Sequence, residues 1–256
     1  MNNSKTRFSN RVENYVLYRP SYPDQIVADL EINGHLKNGE TIVDIGSGTG
    51  LSTEIFLKQG HKCISLEPNS EMREASERQL ASYPLFSTHD GSAEATGLES
   101  NSTDLIIAGQ AFHWFDRVAA KKEFQRTLKP RGSVALIWNK RDCAGTGFQL
   151  GYENLLNEFC NDYAQVDYKN VDENALITFF SPNEYSTFEY HNEQQFDLDG
   201  LKGRLLSSSY CPMPTESNYK PTMAGLETLF NTYESDGKIT FNYNTQVYVG
   251  RLASNH

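Results

Sequence analysis

The chain has no run of about 18 apolar residues, so no segment is expected to cross a membrane as a helix. Its first ten residues, Met1 to Asn10, are polar and lack the apolar core of a secretory leader. Cysteine is scarce, with four in 256 residues. Cys63, Cys143, Cys160 and Cys211 form no C-x-x-C pair, and no nearby histidine completes a zinc pattern. They read as reduced thiols of a cytoplasmic protein, and no metal site is expected. Basic residues are outnumbered, 23 against 33 acids, for a net charge of -10. A surface of that sign repels phosphate backbones, which argues against a nucleic-acid partner. Lys121, Lys122, Arg126 and Lys129 are one basic group, and they read as the solvated face of a helix. There is no internal repeat and no low-complexity linker.

What is present reads as a globular α/β chain, 38% hydrophobic and 22% charged. From Thr41 to Asn139, short apolar runs alternate with helical patterns. Thr41–Ile45, Lys62–Leu66, Leu85–His89, Asp104–Ala108 and Ser133–Trp138 read as strands. Between them, helices are expected over Leu51–Gln59, over residues from Asn69 to Ser82, and after Asp116. Asn69 and Asp116 are placed to cap their helices, and Gly60 to stop the first. Another helix is expected from Pro23 to about Leu36, with Ile26, Val27 and Leu30 on one face. Nearly continuous apolar strands separated by helices imply a parallel sheet covered on both faces. Ile239 to Val249 alternates with period two, as an antiparallel, half-exposed strand does, and Phe188–Phe196 is a weaker candidate for its partner. Helices are expected at Leu198–Ser208 and Thr222–Tyr233. The expected architecture is a Rossmann-like, doubly wound, mostly parallel sheet with a final antiparallel strand. Its parts are a lid and helix (1–40), a cofactor-binding core (41–140), an inserted aromatic and helical acceptor cap (141–236) and a closing strand (237–256).

The strongest motif is Val43–Gly50 (VDIGSGTG), a glycine loop between a first strand and its helix. Gly46, Gly48 and Gly50 permit a tight turn and let a ligand approach the backbone. Dinucleotide sites use G-x-G-x-x-G, but Leu51 stands in the third glycine's place. That departure weighs against a nicotinamide-dependent oxidoreductase. With no pyrophosphate to hold, the loop suits a neutral or cationic ligand, and Asp44 suits an ammonium or sulfonium. Glu67 ends the second strand about 20 residues after Gly46, where a carboxylate accepts from two ribose hydroxyls.

These residues resemble those of the class I S-adenosylmethionine-dependent methyltransferases over most of the chain. The resemblance implies S-adenosylmethionine as cofactor, with Asp44, Gly46, Ser47, Gly48 and Gly50 as the first motif and Glu67 as the ribose acid. It implies that Asp90–Glu94 (DGSAE) contacts adenine through Ser92 and Ala93 and that Met72 packs on the adenine. Family members often have Asp where Ser92 stands, so a hydroxyl or backbone contact is expected there instead. Phe8–Arg11 (FSNR), Tyr18–Pro23 (YRPSYP), Gln110–Phe115 (QAFHWF) and Ser207–Tyr210 (SSSY) resemble a subgroup of small-molecule enzymes, the trans-aconitate methyltransferase-like proteins. The resemblance places Gln110 beside the reactive methyl, with Trp114 as a wall of the acceptor site. Arg19 suits the methionine carboxylate of the cofactor. His113 is the candidate base, and Tyr18, His113, Trp114, Arg204 and Tyr210 are the candidate acceptor-binding residues. A small-molecule acceptor, a carboxylic acid among the possibilities, is the expected partner. A cofactor-binding module without turnover is the remaining alternative.

Overall fold

The computed structural model describes residues 11–142, 147–161, 163 and 172–253. Phe8 and Cys143 lie outside them. The core begins with β1 (Thr41–Ile45), α3 (Leu51–Lys58), β2 (Lys62–Leu66), α4 (Ser70–Gln79) and β3 (Phe86–His89). It continues with β4 (Thr103–Gly109), α5 (Arg117–Thr127) and β5 (Leu128–Arg141). Two helices, α1 (Val12–Tyr18) and α2 (Gln25–Ile32), precede it. After it come α6 (Gly147–Phe159), α7 (Glu173–Phe180), β6 (Tyr185–Phe196), α8 (Leu198–Leu206), α9 (Tyr219–Tyr233) and β7 (Ile239–Gly250).

The strands form one seven-stranded sheet in the order β3-β2-β1-β4-β5-β7-β6. Strands β1 to β5 pair in parallel, and β7 runs against both of its neighbours. The strand order reverses between β1 and β4. Chain connections leave in opposite directions there, which opens a crevice at the carboxyl ends of these strands.

Successive residues of the central strands feed opposite cores. Ile42, Leu105, Ile107 and Ile137 pack with Ile26, Val27 and Leu30 of α2 and Phe56 of α3. Val43, Ile106, Val134 and Leu136 pack with Ala120 and Phe124 of α5 and Phe179 of α7. Double-sided burial explains why these strands read as unbroken apolar runs.

The local signals act as expected at the caps. Asn69 Oδ1 accepts from Met72 N at 3.0 Å, and Asp116 Oδ1 accepts from Val118 N and Ala119 N. Some bounds differ. The helix expected over Pro23–Leu36 is the shorter α2, which Gly34, at φ 74°, follows within two residues. Pro130–Gly132 makes no separate turn before β5. It lies inside β5 as an irregularity, where Thr103 faces Leu128 but Leu105 already faces Ser133.

The stretch 141–236 is not one continuous insert, because β6 lies in the middle of it as the sheet's edge strand. The pairing of β5 with β7 ends at Arg141 opposite Tyr243, whereas β6 and β7 continue pairing to Phe196 opposite Ile239. This two-stranded extension passes the carboxyl end of β5. Its Phe241 and Tyr243 carry a third core, formed with Tyr152 of α6, Leu201 and Leu205 of α8 and Leu226 of α9.

Candidate functional site

A cleft of about 850 Å³, a volume that includes space open to solvent, lies at the crevice between β1 and β4. The turn after β1 forms its floor. Gly46 is at φ 67°, and a Cβ there would lie 2.8 Å from Ala111 Cβ, so bare backbone is required. Gly48 is at φ 57° with nothing within 4 Å of its would-be Cβ; it borders the cleft, where a ligand can meet its backbone. Gly50 instead faces protein, since its Cβ would meet Leu80 Cδ1 at 2.6 Å.

Glu67 closes this turn from β2. Its Oε2 accepts from Gly48 N at 2.9 Å and its Oε1 from Asn69 N at 2.9 Å. Burial raises its pKa, and the two backbone donors and Arg73 oppose that rise. Each oxygen keeps a further lone pair for a ligand hydroxyl.

Asp44 is fully buried beneath the turn. Its Oδ2 accepts from Ser52 Oγ at 2.6 Å and Thr53 Oγ1 at 2.7 Å. Burial pushes its pKa up to about 6 against those bonds, with Glu67 adding to the rise. Asp44 Oδ1, Ser47 Oγ and Thr49 Oγ1 are buried without a hydrogen-bond partner. Three orphaned polar atoms in one short loop beside a cleft fit a polar ligand that completes them.

Met72, Ser92 and Ala93 line the side of the cleft where the resemblance places an adenine. Gln110 and Trp114 line the β4 side. Gln110 has φ 55°, a left-handed backbone that a non-glycine residue holds at a cost of about 1–2 kcal/mol. Its N donates to Ile137 O at 2.9 Å and its Nε2 to Asn139 O at 3.1 Å, which fixes this strained corner facing the cleft.

Gly46, Gly48, Glu67, Met72, Ser92, Ala93, Gln110 and Trp114 thus meet at one cleft. Asp44, Ser47 and Gly50 support its floor without lining it. Arg19, Tyr18, His113, Arg204 and Tyr210 are not part of this wall either. His113 lies on a short 3-10 turn (Phe112–Trp114), with its ring centroid 4.9 Å from that of Trp114. Burial, with Arg117 adding, holds its pKa down at about 4, so the imidazole is neutral above pH 5. Tyr18 packs against Gly203 of α8, where any Cβ would overlap its ring.

Arg19 reaches the end of α8. Its Nη2 donates to Ser207 O at 3.0 Å and to Ser208 Oγ at 3.3 Å. It belongs to a largely enclosed group with Arg204, Arg141, Tyr152, Tyr210 and Tyr243, and its guanidinium lies 4.9 Å from the Tyr15 ring centroid. Burial lowers the pKa of Arg19, and the like charge of Arg204 lowers it further. Burial raises that of the Tyr210 phenol, but the cations of Arg141, Arg204 and Arg19 outweigh this and hold it below the usual value.

Sequence reasoning missed Tyr15, Pro68, Asn69 and Phe115 as cleft walls. Tyr15 arrives through the packing of α1 across α4 and α8, for which no local motif exists. Asn69 was read only as a cap, although a capping residue directly after a ribose-binding acid necessarily stands at the cleft. No group of three potential metal ligands exists among the described residues, and no described helix is long and apolar enough to cross a membrane.

Comparison with known proteins agrees with this geometry. Residues 43–136 match the family model described as "Methyltransferase domain", the segment that holds the glycine turn, Glu67 and Gln110. A type II methyltransferase candidate from Anaeromyxobacter dehalogenans superimposes with a TM-score of 0.66 at 18% identity, covering 93% of this chain and 100% of that one. The fold is the Rossmann-like methyltransferase fold. A phosphoethanolamine N-methyltransferase of Haemonchus contortus, solved with S-adenosylhomocysteine, shares it with a TM-score of 0.53 at 15% identity, over 95% of this chain and 57% of that one. In sequence, the chain is 38% identical over 136 residues to "Uncharacterized methyltransferase C25B8.09" of Schizosaccharomyces pombe, covering 53% of each. The chain spans about half the length of the curated relatives it matches.

Proposed function

We propose that this protein is an S-adenosylmethionine-dependent methyltransferase acting on a small molecule of the kind methylated by trans-aconitate methyltransferase-like enzymes. One observation carries the reading: Glu67 binds the Gly48 amide at the floor of a cleft whose turn leaves Asp44 Oδ1, Ser47 Oγ and Thr49 Oγ1 unsatisfied. When bound, the cofactor supplies an electrophilic methyl on a sulfonium. The protein's part is to hold and orient. Glu67 would accept from the two ribose hydroxyls, Met72 would cover the adenine, and Asp44 would place negative charge beneath the cationic end. Trp114 and Phe115 wall the cleft with aromatic surface that excludes water. Gln110, held from both sides, would face the reacting centre.

No base is required if the acceptor is already ionised, as a carboxylate is at neutral pH. For an acceptor that must lose a proton, His113 is the candidate, since it is a free imidazole at pH 7. A basic macromolecule-binding face is not expected on a chain of net charge -10. Calorimetry with S-adenosylhomocysteine and with NADH tests the cofactor assignment. Binding of the first without the second supports it, and the reverse would replace it by an oxidoreductase reading.

A further inference from the structure

Among the described residues, two guanidinium groups lie side by side without an acid, Arg204 buried and Arg19 partly so. Arg204 is 3% exposed; its Nε donates to Tyr243 Oη at 3.1 Å and its Nη1 to Ser208 Oγ at 3.2 Å. Arg19 donates to the same Ser208 Oγ at 3.3 Å. One hydroxyl oxygen therefore serves two cations. The charges acting on Arg19 come from Arg204, Tyr15, Tyr210 and Tyr243, and those acting on Arg204 from Tyr243, Tyr152 and Tyr210; no carboxylate among the described residues is one of them. Their neighbour Arg141 is different, because Glu153 pairs with it at 3.1 Å.

A guanidinium cannot shed its proton to escape burial, and desolvating it without a counter-charge is costly. At Arg204 the tyrosines outweigh burial and favour the cation, whereas at Arg19 burial and the like charge of Arg204 prevail. Arg11, also buried, is accounted for otherwise: it donates to the carbonyls of Leu206, Ser208 and Cys211 and so pins α1 to the end of α8. Arg19 and Arg204 have no such set of carbonyls. Buried donors in the group, Arg19 Nε and Tyr152 Oη among them, have no acceptor among the described residues. The missing partner is therefore an acceptor-rich anion. The group adjoins the cofactor cleft, since the Arg19 guanidinium lies 4.9 Å from the ring centroid of Tyr15, a cleft wall.

We propose that Arg19 and Arg204 form the seat for a carboxylate of the methyl acceptor, so that the substrate is a small organic anion carrying one or two such groups. Two cations without a paired acid match that charge, and the surrounding tyrosines offer apolar faces to its carbon skeleton. The proposal rests on the methyl-transfer reading. The same chemistry is present in the amino-acid end of S-adenosylmethionine, so the test must separate the two sources.

Calorimetry on the protein loaded with S-adenosylhomocysteine does so, with succinate as probe and succinamide as its uncharged counterpart. Succinate is expected to bind with a dissociation constant below about 1 mM, in the range of ordinary substrate affinities, and succinamide not to bind. Arg204→Met is expected to weaken succinate binding by about tenfold or more, the loss of a charge-assisted pair, with affinity for S-adenosylhomocysteine kept within about threefold. Arg204→Lys, which retains the charge but not the fork, and Tyr152→Phe, which removes one hydroxyl, test the seat if the methionine variant does not fold. Both are expected to weaken succinate binding. Equal succinate affinity in all variants, or no binding to the wild type, would overturn the proposal. So would arginine variants that lose S-adenosylhomocysteine but keep methylthioadenosine, because the carboxylate would then be the cofactor's own. Failure of the wild type to bind S-adenosylhomocysteine would instead defeat the methyltransferase reading, while succinate titration of the unloaded protein would still report on the seat.

Discussion

Replacing Glu67 by alanine separates ligand binding from scaffold. In the structure, each carboxylate oxygen already accepts one backbone N–H, from Gly48 and from Asn69, both at 2.9 Å. Each oxygen therefore has one lone pair left, and two ribose hydroxyls would use both. A hydrogen bond to a charged group contributes about 1.5–3 kcal/mol, and desolvation of the bound state takes back part of the pair's sum. The expected loss is about 2–3 kcal/mol, or roughly 30- to 150-fold in the dissociation constant for S-adenosylhomocysteine. Stability should change less. Two amide donors lose their acceptor, but a buried carboxylate whose pKa is raised by desolvation is also removed, and these effects oppose. Glu67→Gln is not a mild control, because its NH2 group would face one of the two amide donors. Calorimetry with S-adenosylhomocysteine measures the affinity, and urea unfolding shows that the variant is folded. Affinity within about threefold of wild type in a folded alanine variant would refute the ribose assignment.

Other outcomes follow from the same geometry. Gly46→Ala should cost stability, about 2 kcal/mol or more, because its methyl meets Ala111 at 2.8 Å in a left-handed backbone; a melting temperature equal to wild type would contradict this. Gly48→Val should pay only the backbone strain, about 1–2 kcal/mol, yet abolish S-adenosylhomocysteine binding, since its side chain enters the open cleft; a folded variant that binds normally would show that the ligand stays away from this turn. Asp44 has its pKa raised from 3.8 to about 6, so the folded protein holds a proton there that the unfolded chain has released. Its contribution to stability is full below pH 4 and is lost as pH rises through 6. Asp44→Asn should therefore gain about 2 kcal/mol on the wild type between pH 4 and 7, read by urea unfolding at both values; parallel pH profiles would contradict the raised pKa.

The sequence discloses what local chemistry determines. β1 and β4 were legible because burial on both faces leaves Ile42–Ile45 and Leu105–Ala108 little room for polar residues. The glycine turn and Glu67 were legible because backbone approach and ribose recognition demand particular residues at particular spacing. Asn69 and Asp116 were legible as caps because a short side-chain acceptor ahead of a helix has few other uses. β6 was weak because an edge strand in contact with solvent tolerates Asn192 and Gln194 even on its half-buried face, which masks the alternation with exposed Glu189, His191 and Glu193. α6 and α7 were hidden in a stretch that reads as irregular; the aromatic content there serves two different cores, Phe148 and Tyr152 in one, Phe179 and Phe180 in the other. The arginine group was only half legible. Arg19 was read as a partner of the cofactor's carboxylate and Arg204 as an acceptor-binding residue, not as neighbours. Their meeting at Ser208 depends on α1 lying against α8, and Gly203 permits that contact by leaving room for the Tyr18 ring. Such an approach between distant helices leaves no trace in residue spacing.

The central claim is transfer of a methyl group from S-adenosylmethionine to a small organic molecule. A single-turnover reaction with methyl-labelled S-adenosylmethionine tests it most directly, using a metabolite extract beside separate RNA and protein fractions. Label is expected in small carboxylic acids, with none in either macromolecular fraction, and the transfer is expected to fail in Glu67→Ala at a cofactor concentration that saturates the wild type in the same assay. Label confined to RNA or protein, or equal transfer by the wild type and the Glu67 variant, would contradict the account.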